Sequence, residues 1–265
     1  MIESIILGLL QGLAEFLPIS SSGHLVLGHE LLNMNEAGMF FDIMLHAGTL
    51  LSIFVVFRKK IVDIIVGCCK RDPVQLKEAG YIVLASIPTA MIGLGFKDAL
   101  ESLFTNPRAV CAALLVTGCL LFASQWGKTG SKHPENEGVK MNWWRALVTG
   151  VVQGVACIPG ISRSGSTISG MIFLGVNRKY AGEFSFLMSI PAVLGATGLE
   201  LVKAIKAGID ASLIPAYIVG MVAAMVSGFL AIWLLRYVTR KGKFGGFAYY
   251  CWIVGALTII LSMIF

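Results

Sequence analysis

Six stretches of this chain are apolar over roughly 20 consecutive residues, the length a helix needs to cross a bilayer. They fall at 38–57, 79–96, 107–126, 180–202, 213–235 and 244–265. Two other apolar regions do not fit that length. Residues 2–17 and 24–32 are each too short to span, and Pro18 and the run Ser20-Ser21-Ser22-Gly23 separate them. Residues 143–158 and 166–176 repeat that shape around Pro159-Gly160. Half-helix, polar break, half-helix predicts a re-entrant hairpin; two kinked full spans are the alternative. The expected fold class is therefore all-α and integral to the membrane, an inverted-topology repeat of about six transmembrane helices plus two re-entrant helical hairpins. Residues 1–127 make the first repeat (hairpin 1–33 and three spans), and 128–142 a Gly/Pro/polar linker on the cytoplasmic side. Residues 143–265 make the second repeat (hairpin 143–176 and three spans). Three crossings per repeat invert the second copy, so the two hairpins enter from opposite faces and their tips can meet. Residues 58–77 mix apolar and charged positions and predict an amphipathic helix on the cytoplasmic surface.

Composition agrees with the pattern. Apolar residues make up 56% of the chain and charged ones 14%, where a soluble domain carries roughly a quarter charged. The net charge of +6 does not mark a nucleic-acid binder, because the basic residues sit in short loops between apolar segments. Let the first span run inward. Arg58, Lys59, Lys60, Lys70, Arg71, Lys77, Lys128, Lys132, Lys140, Arg145, Arg178, Lys179, Arg236, Arg240, Lys241 and Lys243 are then all cytoplasmic, against only Lys97, Arg108, Lys203 and Lys206 outside. That asymmetry fixes the orientation and opens the first hairpin outward. The six cysteines form no CxxC pattern and read as small packing residues. An acidic Glu3 without a basic segment at the N-terminus argues against a cleaved signal peptide.

The two breaks are copies. QGLAEFLPISSSGHLVLG (residues 11–28) matches QGVACIPGISRSGSTISG (residues 153–170) at an offset of 142, so Ser20, Ser22 and Gly23 fall on Ser162, Ser164 and Gly165, and Ser21 falls on Arg163. A Ser/Gly run that opens a helix offers unpaired amides and hydroxyls where the helix dipole favours an anion. Two such ends plus the planar donor fork of Arg163 suit a ligand with more than one negative charge, and a diphosphate fits. Serines of this kind also pack and cap helices in membrane bundles. Glu15 lies one turn after Gln11; beside a phosphate site it acts as a general base or a divalent-metal ligand, or is a protonated carboxyl bonded within the bundle. His24 opens the second half-helix and either donates to an oxyanion, shuttles a proton or is structural. Asp42 and His46 share a helix face (i, i+4) at the depth the first loop should reach. His29 and His133 are expected to be exposed and without a role.

With EFSFLMSIP at 183–191, FDIMLHAGTLL at 41–51 and the two break motifs in place, the chain resembles, over its whole length, the undecaprenyl-diphosphate phosphatases of the bacitracin-resistance type. The resemblance implies hydrolysis of a polyprenyl diphosphate to the monophosphate and inorganic phosphate at the outer face of the plasma membrane, recycling the lipid carrier of cell-wall synthesis. Bacitracin would then compete indirectly, by binding the substrate, and a homodimer is one assembly the resemblance allows. It implies Glu15 as an essential acid, Ser21 as nucleophile, His24 in support and Arg163 as stabiliser of the phosphoryl group; Gln11, His46 and Glu183 are expected to support these residues. It also implies a divalent cation (Mg²⁺ or Ca²⁺). Many members, however, carry Glu at the position of Gln11, leaving one carboxylate of an ExxxE pair here unless Asp42 joins Glu15 as a ligand. A polyprenyl-phosphate flippase or anion transporter is the competing reading, since inverted repeats with broken helices are common among transporters.

Overall fold

The computed structural model describes residues 1–32, 38–129, 138–208 and 211–264. Asn33, at the end of the expected first hairpin, and residues 130–137 of the expected linker, His133 among them, lie outside the described residues. The described residues are mostly helical, with no strand among them. In chain order the helices are α1 (Ile2–Phe16), α2 (Ser21–Leu31), α3 (Gly38–Cys69), α4 (Pro73–Gly95), α5 (Lys97–Phe104), α6 (Pro107–Ala123), α7 (Trp143–Val155), α8 (Arg163–Phe173), α9 (Arg178–Ala207), α10 (Ile214–Arg240) and α11 (Phe247–Ile264). Their starts are written in the sequence. Side chains of Asp72, Asn106, Asn142 and Asn177 accept from first-turn amides of α4, α6, α7 and α9, and prolines open α4 and α6.

Five helices are long and apolar enough to cross a membrane, α3, α4, α6 (with its following turn), α9 and α10, and residues Phe244–Ile260 form a shorter apolar sixth. The last expected span starts late because Phe244–Gly246 is a 3₁₀ turn rather than α-helix. The expected amphipathic helix over 58–77 does not exist as a unit. Nothing between Phe57 and Cys69 breaks the preceding span, so α3 runs on through the basic cluster. Arg71 then takes a left-handed φ of 59°, and Asp72 caps the helix that Pro73 opens. The short helix α5 between two spans was not expected from the sequence.

The offset of 142 carries Ser21, the first residue of α2, onto Arg163, the first residue of α8. Packing follows the same correspondence, but crosswise. Helix α1 lies along α10 and α7 along α4, so the first helix of each broken unit packs on a long helix from the other half of the chain; α6 lies against α11. Glycine permits this close approach. A side chain at Gly12 would run into Ser227 and the Ala224 carbonyl of α10, and one at Gly150 into the Ala85 carbonyl of α4. Between the halves, Phe16, Ile53, Leu114, Leu121, Ile168, Phe186 and Ile232 form one buried cluster, with Phe16 edge-on to Phe186 at 5.6 Å.

The outer surface is apolar. Val83, Met91, Trp233 and Ile253 are each more than 60% exposed, which hydrocarbon tolerates and water does not. The interior instead holds polar side chains tied to neighbouring backbones. Ser52 donates to Met225 O (2.7 Å) and Thr89 to Gly150 O (2.9 Å). The chain is an all-α integral membrane protein. The α1–α10 contact makes Gly12→Ala destabilising, by about 1–3 kcal/mol, seen as a lower thermal midpoint in detergent. Gly195→Ala, whose side chain meets open space, should leave the midpoint unchanged or raise it. Equal midpoints for the two variants would contradict this packing.

Candidate active site

The two breaks meet. After Phe16 the chain turns extended at Leu17, and Pro18 cannot donate to continue the helix. In the second unit α7 ends at Val155, Gly160 takes φ 92°, and α8 begins at Arg163. Ser22 Oγ accepts from Gly160 N at 3.2 Å, and Ser164 Oγ donates to Leu17 O at 3.4 Å. These are equivalent serines, each bound to the other unit's break. Thr117 of α6 steadies the second break, accepting from Ser162 N and donating to Gly160 O.

At this junction the Glu15 carboxylate is largely enclosed and both of its oxygens are engaged. Arg163 Nη2 donates to its Oε1. Ser21 Oγ donates to its Oε2 at 2.7 Å, and Gln11 Nε2 donates to the same oxygen at 3.2 Å. Gln11 Nε2 also faces His46 Nδ1 at 3.0 Å, and that nitrogen stands 3.9 Å from Glu15 Oε2. With the Glu15 carboxylate before it, the Gln11 amide must present its NH₂ there, which leaves Oε1 buried without a partner. The other guanidinium nitrogen, Arg163 Nη1, is likewise buried without a partner. A guanidinium N–H buried without an acceptor costs free energy that a ligand oxygen placed there would recover.

The serine and glycine residues divide into two uses. Ser20 Oγ accepts from Gly23 N (3.3 Å) and Ser162 Oγ from Gly165 N (3.1 Å). They are N-caps, so the amides of Gly23 and Gly165 are already spent. The amides that neither helix nor cap satisfies are those of Ser21 and Ser22 on α2 and of Arg163 and Ser164 on α8. The caps differ in one respect. Ser162 has an ordinary extended backbone (φ −73°, ψ 119°), whereas Ser20 has φ 68° and ψ 98°. A non-glycine residue there costs on the order of 1–3 kcal/mol and persists only where its surroundings enforce it.

Several expected residues lie elsewhere. The Asp42 carboxylate accepts from His29 Nε2 at 2.9 Å and does not join Glu15, because His29, expected to be exposed, reaches across from α2 to hold it. Glu183 stands 3.6 Å from Arg236 on α9, away from the cluster. The His24 imidazole is buried and turned from Glu15, with Nδ1 2.9 Å from Ser20 O and Nε2 2.7 Å from the Tyr250 hydroxyl. Tyr250 was missed at the sequence level; the signal was a Tyr-Tyr pair inside the last apolar segment, where a hydroxyl needs a partner. For a hard divalent cation the donor set does not fit. Both Glu15 oxygens already accept hydrogen bonds, one from a cation, and Asp42 is held by His29. Among the described residues no three His, Cys, Asp or Glu side chains gather.

Known proteins resemble the whole chain. A family model described as bacitracin resistance protein BacA matches residues 4–257. A protein named undecaprenyl-diphosphatase from Carboxydothermus hydrogenoformans is 43% identical over 265 residues, covering 98% of this chain and 97% of that one. Proteins of the same name from Halothermothrix orenii (44% over 261 residues, 98% of each) and Methanosphaera stadtmanae (42% over 279 residues, 99% and 98%) are similar to the same extent.

Proposed function

The chain belongs to the bacitracin resistance protein family, and from that membership we propose how its joined breaks carry out the family's reaction. The activity is that of its relatives: an undecaprenyl-diphosphatase, which converts the lipid carrier diphosphate to the monophosphate and inorganic phosphate. The relatives' activity decides between hydrolase and flippase or transporter in favour of the hydrolase. Bacitracin resistance follows if the antibiotic competes by capturing the lipid diphosphate rather than by touching this protein.

One observation carries the assignment of the site: Arg163, partly buried beside Ser21 and Glu15, has one nitrogen on Glu15 and another, Nη1, buried without a partner. The terminal phosphoryl group of the substrate binds at that nitrogen. Its oxygens take Arg163 Nη1 and the first-turn amides of α2 and α8, while the polyprenyl chain lies along the apolar outer surface. Ser21 Oγ attacks the terminal phosphorus, and the bond from that phosphorus to the carrier's bridging oxygen breaks. Glu15 receives the hydroxyl proton and passes it to the departing lipid monophosphate. Water then attacks the phosphoserine; Glu15 takes the water's proton and returns it to Ser21 Oγ as inorganic phosphate leaves. A carboxylate that is itself paired with arginine is a weak base. Phosphoryl transfer asks little of the base, because its transition state is loose and depends chiefly on positioning and charge stabilisation. Gln11 and His46 hold Glu15 in register. No step needs a metal ion.

The helix–break–helix units are re-entrant hairpins of an inverted repeat in this reading. The crosswise packing of α1 on α10 and α7 on α4, with the two breaks in contact, supports it. The excess of basic residues in one set of loops supports an orientation with α3's Arg58–Lys60 end in the cytoplasm and the first break toward the outside of the plasma membrane. Two experiments test these proposals. Arg163→Lys keeps the charge but loses the paired donors, so turnover should fall on the order of 100-fold, close to the loss for Arg163→Ala; a lysine variant within a few-fold of wild type would reduce Arg163 to charge balance. For orientation, a single cysteine replacing exposed Asp98 in a cysteine-free background should react with a membrane-impermeant thiol reagent in intact cells, and one replacing exposed Lys241 should not. The reverse pattern would place the first break on the cytoplasmic side.

A further inference from the structure

The strained backbone of Ser20 is held by the His24 side chain, and His24 is held in turn by a side chain from the far end of the chain. The Ser20 carbonyl has two nitrogens before it, the backbone amide of His24 at 3.2 Å and the imidazole Nδ1 of the same residue at 2.9 Å. A carbonyl can only accept, so Nδ1 carries the proton. In the neutral ring Nε2 is then an acceptor, and it takes the Tyr250 hydroxyl at 2.7 Å. The two rings stack with centroids 5.6 Å apart and planes 12° from parallel. The next residue of α11, Cys251, is buried and lies with Sγ 3.6 Å from the Pro18 carbonyl. Two consecutive residues of α11 thus brace the first break on both sides of Ile19.

The second break shows what happens without this brace. There the residue equivalent to His24 is Ser166, whose buried hydroxyl has no partner, and Ser162 keeps an ordinary backbone. The strained conformation exists only in the break that presents Ser21 to Glu15. We propose that Tyr250 and His24 form a clamp, in which Tyr250 fixes the Nδ1–H tautomer of His24 and His24 holds the Ser20 carbonyl so that Ser21 Oγ stays aimed at the phosphorus. Both are positioning residues, and neither moves a proton in the reaction. The inference rests on Ser21 being the nucleophile of the proposed phosphatase site, which it deepens.

Asparagine separates a clamp from an acid–base role. Its side-chain NH₂ sits where Nδ1–H does and can donate to the Ser20 carbonyl, but it cannot exchange a proton. With purified protein in detergent and undecaprenyl diphosphate as substrate, His24→Asn should keep activity within about tenfold of wild type. His24→Ala should lose roughly 100-fold or more, the size of effect that misplacing a reacting group produces. If His24→Asn is as inactive as His24→Ala, the clamp is wrong and His24 transfers a proton, an effect of about 100-fold or more in its own right. Tyr250→Phe should lower kcat several-fold and leave KM unchanged, since the substrate's own contacts remain. The direct readout is nitrogen-15 NMR of histidine-labelled protein, which has four histidines to resolve. Wild type should show the Nδ1–H tautomer at His24, and Tyr250→Phe should introduce the Nε2–H form. An unchanged tautomer and unchanged kcat in Tyr250→Phe would remove Tyr250 from the account. Because the spectrum is read without substrate, a wild-type protein that releases no phosphate would refute the phosphatase reading while leaving the tautomer result to stand or fall alone.

Discussion

The contact between Glu15 and Arg163 joins the first break to the second, and the architecture around it serves to make that contact possible. Each residue alone would be costly to bury in an apolar bundle, and removing one partner of such a pair typically costs about 3–5 kcal/mol. Together they are tolerated, and the pair is left incomplete in one direction only, at Arg163 Nη1. Bringing α1 and α8 to one point requires two helices that stop inside the protein. Stopped helices expose amides and carbonyls, of which the caps of Ser20 and Ser162 and the crossed serines Ser22 and Ser164 satisfy those of Gly23, Gly165, Gly160 and Leu17. The small residues on α1 and α7 then let the long helices of the opposite half close around the breaks.

Near-equivalent halves yield a site that is not symmetric. At matching positions the first break supplies Glu15, Ser21 and His24, and the second supplies Cys157, Arg163 and Ser166. One half therefore provides the carboxylate and hydroxyl, and the other the guanidinium. Gln11 and Gln153 show the divergence at its smallest. Gln11 Nε2 turns to Glu15 and His46. Gln153 Nε2 turns to Thr89 and to the carbonyl of Met188, the residue equivalent to His46. The scaffold geometry is shared while each half brings different side chains to the junction.

Much of this was legible before any coordinates. The duplicated break motif, the short flanking half-helices and the meeting of Glu15, Ser21 and Arg163 follow from spacing, because a polar loop inside apolar sequence has to be enclosed by protein. Gln11 and His46, expected near Glu15 from periodicity and depth, do lie against it, Gln11 Nε2 at 3.2 Å and His46 Nδ1 at 3.9 Å. What the sequence could not show depends on side-chain direction across helices. Asp42 and His46 share a face, yet only His46 reaches Glu15, since His29 intercepts Asp42 one turn nearer the surface. Glu183 sits in a motif beside the second break but points to Arg236. The end of α3 was misplaced because charged residues were read as the end of a span, when nothing in 58–69 breaks a helix and Arg71-Asp72-Pro73 does. Tyr250 lies 226 residues from His24, and no local pattern links them.

The central claim is that the substrate's terminal phosphoryl group completes the Arg163 guanidinium and lies in front of Ser21. The most direct measurement is an experimental structure of the protein bound to a polyprenyl diphosphonate whose bridging oxygen is replaced by methylene, so that it binds without turning over. The account predicts the terminal phosphonate within hydrogen-bond distance of Arg163 Nη1, with Ser21 Oγ in line with the phosphorus–methylene bond and still bonded to Glu15. A diphosphonate bound away from both breaks, with Arg163 contacting Glu15 alone, would contradict it.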